Sequence, residues 1–203
     1  SEPLLRRAIS ANLRWGSEEA FNNLLTYANQ AKAPEAMRVE AIAALSTWTS
    51  PSVLDRVDGW YRGEFKRDIL GFQASASDVL MELTKSNSRV IREESVKALG
   101  QLKISDANER LLAVLSNDKD ADVRAESLRA IAKIPESPMD KALEQALSDK
   151  ERSVRVAGLD LLEELKIPDE RKAALLDEVI QKRTVEEQQA AVNTLAKLDQ
   201  NST

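Results

Sequence analysis

The chain contains no cysteine and no histidine, and only six glycines, six prolines and eight aromatic side chains among 203 residues. Without cysteine there are no disulfides, no thiol nucleophile and no thiolate metal site, while oxidising and reducing compartments both stay open. Without histidine there is no imidazole base, no Ser-His-Asp arrangement, no carboxylate-histidine zinc site and no axial histidine for haem. No apolar run approaches the ~20 residues that a membrane-spanning helix needs. Nor is there a block of like charge. The 34 acidic and 29 basic residues are mixed along the whole length for a net charge of -5, which disfavours nucleic-acid binding. The chain opens on "SEPLL" and ends on the polar "LDQNST", without an initiating Met or an apolar signal core. The expectation is a single domain over residues 1–203, excised from a longer chain.

What the sequence does have is repetition. Four segments align: "MRVEAIAALSTW" from 37, "IREESVKALGQL" from 91, "VRAESLRAIAKI" from 123 and "VRVAGLDLLEEL" from 154, with a looser copy, "EQQAAVNTLAKL", from 187. Within a copy the apolar side chains fall on one helical stripe, as in Val123, Leu128, Ile131 and Ile134. Small residues such as Ala41, Ser95, Ser127 and Gly158 mark places where a second helix can come close. Amphipathic stretches with start signals lie between the copies: Ser17 as a cap, Asp106 with Glu109 three later, Ser137 before Pro138, Pro168 in a first turn, and Thr184 with Glu187. Each unit is therefore helix, turn, helix. No unit can bury both faces of its helices alone, so successive units must stack around a shared core. The spacing predicts an all-α solenoid of about eleven helices with negligible strand.

Two features stand out along this array. Arg38, Arg92, Arg124 and Arg155 recur just inside the second helix of their units, where each is expected to reach an acid of the preceding turn, such as Asp122 or Asp149, and so tie repeat to repeat. The turn "DKDAD" at 118–122 has carboxylates at alternate positions, but Val123 and Arg129 stand where a calcium loop needs Gly and Glu, so a helix-capping turn is expected instead. Second, residues 49–72 break the rhythm. Pro51 is expected to open a short helix through Val57, Asp58-Gly59 to turn the chain, and a regular helix to resume near Ser75. All eight aromatics, Trp15, Phe21, Tyr27, Trp48, Trp60, Tyr61, Phe65 and Phe72, lie between residues 15 and 72. Folded inward, they cap that end of the solenoid; left outward, they make a contact surface.

The pattern of Leu, an Asp-rich turn and Val-Arg-x-x-Ala/Ser, as in "LSNDKDADVRAES" and "LSDKERSVRVAG", resembles the HEAT-repeat family in its bacterial short-repeat form, over nearly the whole chain. It implies a HEAT/armadillo-like superhelix whose work is binding other proteins. A narrower likeness, carried by "LLRRAISANLRWGSEEAFNNLLTYA" and "EAMRVEAIAALSTWTSPSVLDRVDGWYRG", is to the HEAT region of large secreted bacterial proteins of the membrane-bound dehydrogenase kind with c-type haem domains. That likeness implies a non-catalytic module spacing or docking a dehydrogenase-like domain and a cytochrome c domain, in the periplasm or outside the cell. Any haem would sit elsewhere in the parent, because no C-x-x-C-H occurs here; this chain is expected to hold no cofactor and no metal.

On that reading the partner is a protein or a neighbouring domain, with no nucleic acid and no membrane insertion. Candidate contacts are Trp60, Tyr61 and Arg62 in the loop, and Glu94, Lys97, Glu126, Arg129, Asp160 and Glu164 on the polar face of the second helices, which in such arrays lines the concave side. Two alternatives come from other classes. HEAT-like DNA glycosylases use Trp, Asp and Arg, residue types present at Trp60, Asp58 and Arg62; HEAT proteins of the pigment-lyase kind share the short repeats but point to no residue here.

Overall fold

The computed structural model describes residues 1–69, 71–164, 168–182, 188, 189, 191 and 192. Ten α-helices are formed among them: α1 (Glu2–Trp15), α2 (Glu18–Asn29), α3 (Glu35–Ser46), α4 (Gln73–Leu83), α5 (Arg89–Gln101), α6 (Asn108–Asn117), α7 (Ala121–Lys133), α8 (Met139–Leu147), α9 (Arg152–Glu164) and α10 (Asp169–Lys182). The only β-type pairing among the described residues is an isolated bridge between Leu54 and Tyr61. The last repeat copy, from 187, and the Thr184–Glu187 start signal lie largely outside the described residues.

Local chemistry explains three helix ends directly. The Ser17 hydroxyl accepts the Ala20 N–H at 3.1 Å and opens α2, and Ser88 does the same for Ile91 at 3.4 Å in α5. Gly16 closes α1 with a left-handed φ of 71°, its N–H bonded to the Asn12 carbonyl at 3.1 Å. Two expected starts are corrected. Asp106 does not cap α6: a 3-10 turn over Ser105–Ala107 comes first, and the helix begins at Asn108. Ser137 does not cap α8 with its side chain; its carbonyl takes the Met139 N–H at 2.8 Å.

The helices stack in two rows. α1, α3, α5, α7 and α9 pack on one another in sequence, while α2, α4, α6 and α8 cover them and touch each other sparsely. The row that packs closely, α1, α3, α5, α7 and α9, is the inner row. Between the rows runs a core from Ile9 to Ala157, joined through Met139 and Leu161 to a second cluster of Leu143, Leu147, Leu159, Leu162, Leu175, Leu176 and Ala191.

Close approach within the inner row depends on Gly100. A Cβ there would lie 2.6 Å from the Ala130 Cα, 2.8 Å from its Cβ and 3.0 Å from its carbonyl oxygen, and backbone cannot step aside. Gly100→Ala should therefore destabilise by about 1–3 kcal/mol through overpacking, although alanine favours helix by ~1 kcal/mol over glycine. A lowered urea midpoint checks this; an unchanged or raised midpoint would show that α5 and α7 separate freely.

The short helix expected from Pro51 through Val57 is not formed. The Asp55 carboxylate accepts the N–H groups of Val57 at 2.8 Å and Asp58 at 3.4 Å, a side-chain turn that competes with helix. Gly59, with φ 72°, then reverses the chain. Asp55 N–H to Trp60 carbonyl (2.8 Å) and Arg62 N–H to Val53 carbonyl (2.7 Å) close a small hairpin over residues 53–62.

Candidate protein-docking surface

Three parts of the molecule carry the sequence-predicted residues. The first is the hairpin, fastened to α1 from several directions. Asp55 receives the Ser10 hydroxyl at 3.1 Å and lies 3.8 Å from Arg14 Nε and 3.7 Å from Arg62 Nε. Arg14 Nη2 donates to the Leu54 carbonyl at 2.8 Å. The N–H groups of Val57 and Asp58, the Ser10 hydroxyl and the Arg62 charge hold the Asp55 carboxyl below its ordinary pKa, although burial pushes it up. Asp58 accepts the Trp60 N–H at 2.9 Å and pairs with Arg62 at 2.6 Å, so both are fasteners of the hairpin itself.

Behind the hairpin, Arg67 clasps the end of α1. Its Nη1 donates to the Leu13 carbonyl at 2.7 Å and its Nη2 to the Arg14 carbonyl at 3.0 Å, satisfying helix C-terminal oxygens with a cation. Its guanidinium lies 4.8 Å from the Trp48 ring centroid and 5.6 Å from that of Phe65. Burial and the nearby Arg14 charge push its pKa down. A side chain at Gly16 would strike this guanidinium at 2.5 Å.

The aromatic side chains divide between the two roles. Phe21, Trp48 and Phe72 form one ring cluster with centroids 4.8 to 6.3 Å apart, and Tyr27 packs on the same core. Trp60 and Tyr61 are each 71% exposed, and Trp15, at the end of α1, stands equally open. Around the hairpin, Val53, Leu54, Val57 and Phe65 are exposed too, concentrating apolar surface on a segment too well bonded to be a loose tether.

The second part is the polar face of the inner row. Glu94 pairs with Lys97 at 3.5 Å, and Glu126 repeats the arrangement with Arg129 at 3.4 Å. Pairs of this kind contribute only ~0.3–0.5 kcal/mol each. In α9 the pattern changes, with Ala157 and Asp160 at the equivalent positions; Asp160 and Glu164 are exposed. In α3 the equivalent acid is Glu40, which sequence reasoning missed; it lies 3.5 Å from Arg6 and 3.5 Å from Arg56, tying the insertion to the inner row. Beside it a depression of about 320 Å³ is lined by Ser46, Thr49, Ser52, Arg56, Glu94 and Lys97.

The third part is the arginine ladder, and its direction differs from expectation. Arg92 reaches forward to Asp118, with Nε at 2.7 Å and Nη2 at 3.0 Å, and also to Asp120. Arg124 reaches forward to Asp149 at 2.7 and 2.8 Å, not to Asp122, which pairs with Arg89. Toward the preceding turn they meet backbone: Arg92 donates to the carbonyls of Ser86 and Asn87, Arg124 to that of Asp118, and Arg155 to those of Asp149 and Lys150. Asp118 and Asp149 thus each join two units, the carboxylate to one arginine and the carbonyl to the next. Asp120, drawn to Arg92, makes no side-chain cap for α7. Arg38 donates to the Ala28 carbonyl at 2.8 Å, and Ser86 stands where a forward aspartate would be by repeat spacing.

Comparison with known proteins follows the same lines. A family model described as HEAT repeats matches residues 62–131 and 77–163, together half of the chain. A designed armadillo repeat protein in complex with the peptide (KR)4 aligns at 16% identity over 95% of this chain and 98% of its own, with a TM-score of 0.53. The crystal structure of an engineered protein aligns at 18% identity over 96% and 89%, with a TM-score of 0.51. The archaeal HEAT-like repeats protein from Thermococcus onnurineus NA1 aligns at 15% identity over 98% and 97%, with a TM-score of 0.45. No curated protein matches the chain. At these identities the structural likeness speaks to the fold.

Proposed function

Because the chain belongs to the HEAT-repeat family, we propose that it is a non-catalytic scaffold that docks another protein or a neighbouring domain through the hairpin at residues 53–62. One observation carries this reading: Trp60 and Tyr61 are held 71% open to solvent on a hairpin that Asp55 and Leu54 fasten to Ser10 and Arg14 of α1. Trp and Tyr on a preorganised segment supply contact area at low ordering cost, the usual make-up of an interface hot spot. The inner-row residues Glu94, Lys97, Glu126, Arg129, Asp160 and Glu164 form a second, polar candidate surface.

In its finer form the docked domains are a dehydrogenase-like domain and a cytochrome c domain of the same periplasmic or extracellular polypeptide. Support for that form is the likeness of residues 3–65 to the HEAT region of such proteins. Mass and haem staining of the native polypeptide, captured from source cells with an antibody to this domain, test it. A band well above 22.5 kDa carrying covalent haem is expected, and a haem-free band near that mass would overturn it.

The docking surface has its own test. Trp60→Ala with Tyr61→Ala should shift stability by no more than about 0.5 kcal/mol, since both rings are exposed. The same pair should weaken capture of the partner recovered with the native polypeptide by at least about tenfold. Equal capture by the variant and the wild-type chain would move the docking site elsewhere.

A further inference from the structure

Between α1 and the hairpin lies a cleft of about 510 Å³, lined among others by Arg7, Arg14, Asp55, Val57, Arg62 and Phe65. Its acids are matched. Asp58 pairs with Arg62 at 2.6 Å, and Asp55 is taken up by Ser10 and by the hairpin N–H groups. Its cations are matched only in part. The Arg14 side chain is only 14% exposed and donates through Nη2 to Leu54, but its Nη1 is buried with no hydrogen-bond acceptor, and its Nε has only the Asp55 carboxylate at 3.8 Å, beyond hydrogen-bond distance. A buried charged donor left without an acceptor is the unfavourable case among polar groups.

Two further features sharpen the imbalance. The Arg67 guanidinium presses from behind, its pKa pushed down by burial and by the Arg14 charge. Arg7, two turns earlier on α1, makes no ion pair among the described residues. Three arginines face two aspartates across the cleft, leaving one positive charge over.

We infer that this cleft binds one carboxylate, carried on an acidic peptide segment of a protein partner with an apolar residue beside it. Arg14 supplies the buried donors: Nη1 makes no hydrogen bond, and Nε meets Asp55 only at 3.8 Å, so both have donor capacity to spare while Nη2 keeps its bond to Leu54. Arg7 supplies the second cation at the mouth, and Val57 and Phe65 receive the apolar neighbour. A single excess charge suits a monoanion, whereas a phosphate dianion would also face the carboxylates of Asp55 and Asp58. The inference rests on the scaffold reading but uses residues other than Trp60 and Tyr61.

Fluorescence anisotropy of the full chain with a labelled hexapeptide of alternating Glu and Leu, against its Gln and Leu counterpart, tests it. The Glu peptide is expected to bind about tenfold more tightly, and Arg7→Ala to lose about five- to tenfold of that binding with an unchanged Tm. Arg14→Lys, which keeps the charge but not the fork of donors, should also weaken the Glu peptide selectively. Equal binding of the two peptides, or no effect of Arg7→Ala, overturns the proposal. Displacement of the Glu peptide by inorganic phosphate at lower concentration than by acetate overturns the carboxylate assignment. Loss of peptide binding in the Trp60→Ala, Tyr61→Ala variant also overturns it, by placing the contact on the rings. If that variant instead fails only in partner capture, the scaffold reading and the cleft both stand; if it captures normally while the Glu peptide still binds, only the hairpin's role falls.

Discussion

Arg124→Ala is expected to lower stability by about 3–5 kcal/mol, because it removes one partner of a buried ion pair and strands the other. The Arg124 side chain is 2% exposed and that of Asp149 8%, with two hydrogen bonds at 2.7 and 2.8 Å between them. The same guanidinium also holds the Asp118 carbonyl at 2.8 Å, so the substitution opens a backbone contact as well. In a solenoid the damage should stay near the broken interface, since each unit contacts only its neighbours. Hydrogen exchange is therefore expected to speed up in α8 and α9 while α1 to α3 keep their protection. Uniform loss along the chain would contradict this nearest-neighbour picture. Replacing both partners with apolar residues should recover much of the loss, as desolvation of the two charges is then avoided.

The same pair sets an acid limb. Burial pushes the Asp149 carboxyl up, but the hydrogen bonds from Arg124 and the Glu151 N–H, with the Arg124 charge, pull it further, to below its ordinary value. A carboxyl depressed on folding contributes stability that is fully present above its unfolded pKa and is lost as pH falls through the folded one. Wild-type stability should thus decline below about pH 4, near the unfolded aspartate value. Asp149→Asn should flatten part of that decline at the expense of stability at neutral pH, and an identical slope in the two chains would remove Asp149 from the account.

Trp48→Ala is the second large effect, again about 3–5 kcal/mol from loss of a fully buried aromatic and the cavity it leaves. Trp48 is 0% exposed, lies edge-on to Phe21 at 5.0 Å and to Phe72 at 6.3 Å, and is the ring nearest the Arg67 guanidinium. Its loss should loosen the hairpin's support, because Arg67 then keeps its bonds to Leu13 and Arg14 but not its apolar floor. Limited trypsin digestion should cut first at Arg62 or Lys66 in this variant, and later in wild type. A variant that is destabilised yet cleaved no faster there would mean that the α1 contacts alone hold the hairpin.

Much of the architecture was legible because it follows from local periodicity. The stripe of Val123, Leu128 and Ile131 recurs with each repeat, and Ser17 caps its helix with a short-range bond. Gly100 left a faint signal too, as a glycine inside a strong helical pattern, although only α7 pressing on it explains the choice. At the insertion and in the ladder, where the reading failed, a distant group had intervened. Pro51 to Val57 has the local marks of a helix start, yet Asp55 captures the next N–H groups while Ser10 and Arg14 hold it from α1. The ladder was visible as recurring arginines, but its forward direction depends on how far one unit is set over the next, which no single repeat encodes.

By itself, the sequence determined the helical units, their stacking into one solenoid and the confinement of every aromatic ring to residues 15–72, because each rests on side-chain type and spacing along the chain. Only the tertiary structure decided which rings cap the core and which face solvent, which aspartate each arginine grips, and that Arg14 keeps buried donors without a hydrogen-bond acceptor beside a cleft. Those outcomes depend on the registry between segments some 25 to 54 residues apart, set by packing and charge pairing between units that local periodicity does not record.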